Sequence, residues 1–112
     1  MVNSDYVPSR GDIVWINFNP QLGREQRGLR PALVISHKSY NAKVGLALFC
    51  PITSKIKDYP FEVVLDLKKT KGSVLCDQVK SLDWKTRDID FIERINDPEM
   101  NEVVARINVL IN

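Results

Sequence analysis

The chain has 112 residues, 44% hydrophobic and 27% charged, a balance that fits one globular domain and excludes a disordered majority. Its net charge of +2 is too small for wholesale polyanion binding, so any contact with nucleic acid must come from local clusters of cations. Two cysteines and one histidine fit no zinc-ligand spacing, nothing near Met1 resembles a secretory leader, and no apolar run reaches a membrane span, so a cytoplasmic protein with reduced thiols and no membrane contact is expected.

The first residues are polar, and Pro8, Ser9 and Gly11 break regular structure. Residues 12–18, DIVWINF, carry apolar groups on both faces of a period-two pattern, as a strand does in a closed or covered sheet, with Trp15 in the core. Pro20 stops this strand because it cannot donate to a ladder. Residues 19–31, NPQLGREQRGLRP, form a long charged loop with Glu25, two glycines and three arginines at Arg24, Arg27 and Arg30. A loop this long between core strands usually carries function or is disordered. Residues 32–36, ALVIS, are a second strand that Pro31 can open. Residues 37–44 lack alternation and read as a turn or a short helical piece. Residues 45–53, GLALFCPIT, are a third strand interrupted at Pro51, which predicts a bulge or a sheet edge there.

A basic turn leads into a fourth strand over 61–65, FEVVL, with Phe61 in the core. The charged run 66–72 is a hairpin loop closed by Gly72. Residues 73–82, SVLCDQVKSL, read as one longer strand with Val74, Cys76, Gln78 and Lys80 on one face; Asp77, on the other, needs a donor if that face is buried. A sixth strand over 87–95 alternates Ile89, Phe91 and Glu93 against Asp90, Ile92 and Arg94. The terminal helix starts with Asp97 as N-cap, Pro98 at the first helical position and Glu99 at the positive end. Met100, Val103, Val104, Ile107, Leu110 and Ile111 then recur at helical spacing, and this face either caps the barrel in its own chain or pairs with a second copy. Short strands separated by turns, closed by one helix, make the class mostly β: a small antiparallel barrel forming a single domain over 1–112.

Gly23, Gly28 and Pro31 argue against a helix through the arginines, so in a loop they can converge on an anion. The planar guanidinium fork suits phosphate oxygens, although a solvated loop paired with Glu25 gives the same composition. The single His37 cannot supply a two-histidine ribonuclease, and no carboxylate cluster for two metal ions is visible. The route left for RNA cleavage is metal-free attack by the substrate's own 2′-hydroxyl. It needs a proton acceptor, donors for the phosphorane and an acid for the leaving oxygen. Glu25, Arg30 and Thr53 are the candidate set. Arg30 is best suited to stabilising charge, since a pKa above ~12 makes it a poor proton shuttle. Phe18, Tyr40 and Tyr59 lie at strand ends or turns beside Asn17, Asn41 and Lys57, a mixture that can stack and hydrogen-bond single-stranded RNA but more often serves a core.

The run GDIVWINFNPQLGREQRGLRPALVIS resembles the opening of the MazF/PemK toxin endoribonucleases: Gly-Asp, an aromatic-Asx-Pro turn, then Glu and Arg-Pro before an apolar strand. PITS, YPFEVVL, SVLCDQVKSLDW after a glycine, and ARINVLI extend the likeness over nearly the whole chain. The resemblance implies an SH3-like barrel, a homodimer, and cofactor-free, metal-independent cleavage of single-stranded mRNA at short sequences. It implies 2′,3′-cyclic phosphate and 5′-hydroxyl ends, and a cognate antitoxin whose acidic flexible tail occupies the RNA groove. By match, Glu25, Arg30 and Thr53 take catalytic positions, and Phe18, Asn41, Lys57 and Gln78 take positions of substrate contact. Arg24 and Arg27 stand open between the RNA backbone and solvent. Asn17 and Asn19 replace acids found in many relatives, and Leu29 a more polar residue found in some, which bears on the base sequence recognised. The rival readings are a non-enzymatic toxin of the gyrase-poison type on the same fold and a silent RNA- or antitoxin-binding module; neither needs the Glu25, Arg30 and Thr53 set.

Overall fold

The computed structural model describes residues 5–18 and 29–112. In chain order it contains β1 (Asp12–Asn17), β2 (Leu29–Val34), α1 (Lys38–Val44), β3 (Leu46–Thr53), β4 (Glu62–Asp66), β5 (Lys71–Leu75), β6 (Lys80–Asp83), β7 (Asp90–Arg94) and α2 (Asp97–Ile111). The strands form one sheet in the order β4-β5-β3-β2-β1-β7, with β6 also paired to β3 and every pairing antiparallel. Among the described residues the outer strands β4 and β7 do not pair, so the sheet is a curled half-barrel and not a closed ring.

The apolar residues on both faces of β1 have the environment their pattern demands. Ile13 packs in a cluster with Leu33, Cys50, Val74 and, from α2, Met100 and Val103. Val14 and Ile16 face a second cluster with Val34, Phe49 and Trp84. Trp15 departs from its expected core position and is 44% exposed. The helix that covers its side of the sheet packs over β4, and none of the described residues takes its place over the Trp15 ring. Phe61, also expected in the core, is half-buried against the Tyr59 ring.

β3 explains both Pro51 and the fate of residues 73–82. On one flank it pairs with β2. On the other it pairs first with β6 and then with β5. Val74 stands opposite Ile52 and Lys80 opposite Phe49, so six steps along one strand face three along the other and three residues loop out. Pro51 has no N–H to offer and sits where the partner changes, while Ala32 still pairs with it from β2. The expected interruption is therefore a change of neighbour within a continuous strand. The same loop-out splits the single strand expected over 73–82 into two, with Cys76 and Asp77 in a turn, so there are seven strands and not six. A bulge between Ile13 and Val14, where β1 meets β7, likewise breaks the expected alternation and leaves Phe91 47% exposed.

Residues 37–44 do form a short helix, closed by Gly45 in the left-handed conformation. In α2 the N-cap is Asn96 and not Asp97; Asp97 is the first helical residue and joins Glu99 in placing negative charge on the first turn. Val104 and Ile107 pack partly into the core, but Leu110 and Ile111 remain outside it. The buried Asp12 ties the N-terminal segment to the end of β7, accepting from the Tyr6 hydroxyl at 2.6 Å and from Arg94 at 2.6 Å.

Candidate active site

Arg30 lies near the start of β2 and Thr53 at the end of β3. The ladder between these strands ends at the pair Ala32 and Pro51, and Arg30 and Thr53 each lie two residues beyond it on their own strands, at the same end of the sheet. Arg30 is exposed and Thr53 half-buried. Both border two clefts, one of about 320 Å³ and one of about 410 Å³, so the pair forms the rim between them. The Thr53 hydroxyl oxygen accepts the Lys55 N–H at 3.2 Å, which leaves the hydroxyl proton free to be donated outward. From behind, Gly72 holds this strand end. At φ +141° it lies inside β5, opposite Leu65, and a Cβ there would come within 2.1 Å of the Thr53 carbonyl oxygen. Gly72 is therefore a close-approach residue within a strand, not the loop closure its sequence context suggested.

The smaller cleft gathers Phe18, Lys57 and Gln78 around Arg30 and Thr53, which are five of the residues expected at the site. Gln78 reaches it from the loop-out between β5 and β6, where its own N–H is held by the Leu75 carbonyl at 3.2 Å. Lys80 also lines it, its ammonium 5.8 Å from the Phe18 ring centre and within cation–π range. The backbone at Phe18 is pinned by Arg87, whose Nη1 donates to the carbonyls of Asn17 at 3.0 Å and Phe18 at 2.9 Å. Glu62 shapes the turn that carries Lys57, accepting the Tyr59 N–H at 2.8 Å and the Lys57 N–H at 3.2 Å. The Tyr59 N–H first, then the Ser73 hydroxyl and the Lys57 N–H, hold the Glu62 carboxyl below its ordinary range. Asp77 finds its donor in the Tyr59 hydroxyl, although it is exposed. That bond is also the main reason the Tyr59 phenol is raised.

The arrangement offers a guanidinium, a hydroxyl donor and two lysines around a groove that can take a single strand of nucleic acid. Residues 9–111 match the family described as PemK-like, MazF-like toxin of type II toxin-antitoxin system. The chain belongs to the MazF/PemK toxin family. It is similar to the endoribonuclease toxin MazF of Escherichia coli (strain K12), 45% identical over 108 residues that cover 96% of this chain and 97% of that one. Among solved structures it resembles MazF of a MazE–MazF complex from Deinococcus radiodurans, at 39% identity and a TM-score of 0.85, covering 96% of this chain and 98% of that one. MazF crystallised from the same organism matches at 45% identity and a TM-score of 0.84, covering 95% and 97%. The half-barrel with a C-terminal helix is thus a MazF fold.

One expected substrate contact of this MazF-family chain does not reach the clefts. Asn41 is fully buried. Its amide donates to the Pro8 carbonyl at 2.8 Å and to the Ser36 carbonyl at 3.1 Å, and its Oδ1 accepts from the Ser36 hydroxyl at 2.5 Å. It ties the N-terminal segment to α1 and has no free group for RNA. Glu25, Arg24 and Arg27 lie outside the described residues. Tyr40 is exposed but borders neither cleft. Sequence reasoning missed Lys80, whose shared face with Gln78 was the available signal, and Arg87, which had none. It also missed the larger cleft, lined by Trp15, Lys69 and Thr70. Among the described residues no three His, Cys, Asp or Glu side chains converge as a metal site, and no helix is long and apolar enough to cross a membrane.

Proposed function

We propose that this chain, a toxin and endoribonuclease of the MazF type, cuts single-stranded mRNA with Arg30 and Thr53 on the scissile phosphate and the substrate's own 2′-hydroxyl as nucleophile. The observation that supports this reading is that Arg30 and Thr53 together line both clefts and form the rim between them. The 2′-oxygen bonds to phosphorus as Glu25, by its family position, takes the 2′-proton. Charge gathers on the phosphorane oxygens, where the Arg30 guanidinium and the Thr53 hydroxyl donate to it. The bond from phosphorus to the 5′-oxygen then breaks, that oxygen takes a proton from solvent water, and Glu25 gives its own proton back to solvent. The products are a 2′,3′-cyclic phosphate and a 5′-hydroxyl, formed without metal or cofactor.

Phe18 stacks a base beside the scissile phosphate, Gln78 reads a base edge by hydrogen bonding, and Lys57 and Lys80 meet backbone phosphates. The same exposed cations would attract the acidic flexible tail of a cognate antitoxin, so RNA and antitoxin compete for one groove. The similar MazE–MazF structures support that partner. Val109, Leu110 and Ile111, exposed at the end of α2, supply a face for a homodimer. The toxin acts in the cytoplasm, where its substrate is.

Incubation of the purified protein with mixed-sequence RNA in EDTA tests this directly. Cleavage with cyclic-phosphate ends, abolished in Arg30→Ala, is the expected result. Intact RNA removes the nuclease reading; RNA bound but uncut points to the silent module, and inhibition of DNA gyrase points to the non-enzymatic toxin.

A further inference from the structure

Arg30 and Thr53 border both clefts, so a strand whose phosphate rests on them has a neighbour on each side. The proposed mechanism uses the cleft with Phe18 and Gln78. The second cleft, of about 410 Å³, falls within the size range of small-ligand sites and is lined by groups of different chemistry. Trp15 borders it with 44% of its surface exposed, although tryptophan is normally well buried and nothing among the described residues covers this ring. Lys69 is exposed at the wall and, among the described residues, makes no side-chain ion pair. Lys71 beside it is already neutralised by Asp66 at 2.7 Å. Thr70, between the two lysines, is 6% exposed, and its hydroxyl is buried with no hydrogen-bond partner among the described residues. A buried polar group left so is costly unless something satisfies it.

We infer that this second cleft is a nucleotide subsite, which takes the RNA residue on the far side of the scissile phosphate from Phe18 and Gln78. Trp15 is the stacking platform for its base, Lys69 contacts its outer phosphate, and Thr70 turns its hydroxyl to the sugar or base edge. A flat indole face accepts any base, so this subsite adds affinity and length preference more than sequence choice. The inference rests on the endoribonuclease reading and extends it to where the strand runs.

The test compares two RNAs, one ending at the scissile dinucleotide on a given side and one carrying two further nucleotides there, for each side in turn. In the wild-type protein, extension on one side raises kcat/KM about tenfold, the scale of one base gaining an aromatic platform. In Trp15→Ala that gain collapses toward onefold, and in Thr70→Val, which keeps the side-chain shape, it shrinks by a smaller factor. Extension on the opposite side gives the same gain in all three proteins. A gain that survives in both variants, or no gain from either extension in the wild type, overturns the subsite. Affinity for the same pair of oligonucleotides made uncleavable by 2′-deoxy substitution is a readout independent of chemistry. If wild type cuts nothing, the nuclease reading fails, and loss of the affinity gain in Trp15→Ala still decides the subsite.

Discussion

Gly72 and Thr53 meet backbone to backbone, with room for no side chain between them: a Cβ on Gly72 would lie 2.1 Å from the Thr53 carbonyl oxygen. The contact joins β5 to the strand end that presents the Thr53 hydroxyl beside Arg30. Gly72→Ala must strain a φ of +141° and push β3 away from β5. The expected cost is about 2–4 kcal/mol of folding stability. RNA cleavage by the fraction that remains folded should also fall, because Thr53 moves relative to Arg30. Urea denaturation and single-turnover cleavage measure the two effects separately. Unchanged cleavage would mean that the position of Thr53 is not critical.

Asn41 is where sequence expectation and structure part, and the two make opposite predictions. A substrate contact would raise KM on truncation. The buried knot with Pro8 and Ser36 predicts a loss of about 2–3 kcal/mol in Asn41→Ala. Cleavage kinetics at a temperature where the variant is folded should stay close to wild type.

Most elements, and the candidate pair Arg30 and Thr53 that lines both clefts, were legible because each leaves a local mark. Residues 12–18 announce a strand covered on both faces, the 3.6-residue spacing from Met100 onward announces α2, and Arg30-Pro31 stands directly before an apolar strand. What stayed hidden depends on register. The three residues looped out opposite Pro51 leave no mark in a run as β-like as SVLCDQVKSL, and that loop-out brings Gln78 and Lys80 to the cleft. Asn41 sits in a stretch with no alternation, so neither its burial nor its partners could be read from spacing. Trp15 carries a core residue's composition, and α2 reaching β4 instead is a tertiary fact.

The two cysteines predict a stability change at alkaline pH. Burial pushes the Cys50 thiol up to about 12 and the Cys76 thiol up to about 11, against 9.0 for each ordinarily. The folded state therefore holds these protons more tightly than the unfolded chain. Their contribution is fully present below pH 9.0 and is lost as pH rises through about 11 and 12. Tyr6, raised first by burial and then by its bond to Asp12, acts with the same sign. Urea midpoints should be level near neutrality and fall above pH 9.0, less steeply in a Cys50→Ala, Cys76→Ala double variant. Both thiols should react with a thiol reagent at neutral pH only once the protein is unfolded.

The end of α2 predicts the oligomeric state. Leu110 and Ile111 are 49% and 73% exposed, more apolar surface than capping one half-barrel uses. Sedimentation equilibrium at micromolar concentration should give a dimer, and a Leu110→Asp, Ile111→Asp double variant should shift it to monomer without loss of folded circular dichroism. A wild-type monomer at that concentration would contradict the homodimer.

The central claim is that the attacking oxygen belongs to the RNA and that Arg30 and Thr53 stabilise what it forms. An RNA cut by the wild-type protein, remade with a single 2′-deoxy nucleotide immediately 5′ of the scissile phosphate, isolates that oxygen. The account predicts that this oligonucleotide binds with unchanged affinity and is not cut at that bond, while the all-ribose parent yields a 2′,3′-cyclic phosphate. Cleavage of the deoxy-substituted bond would contradict it.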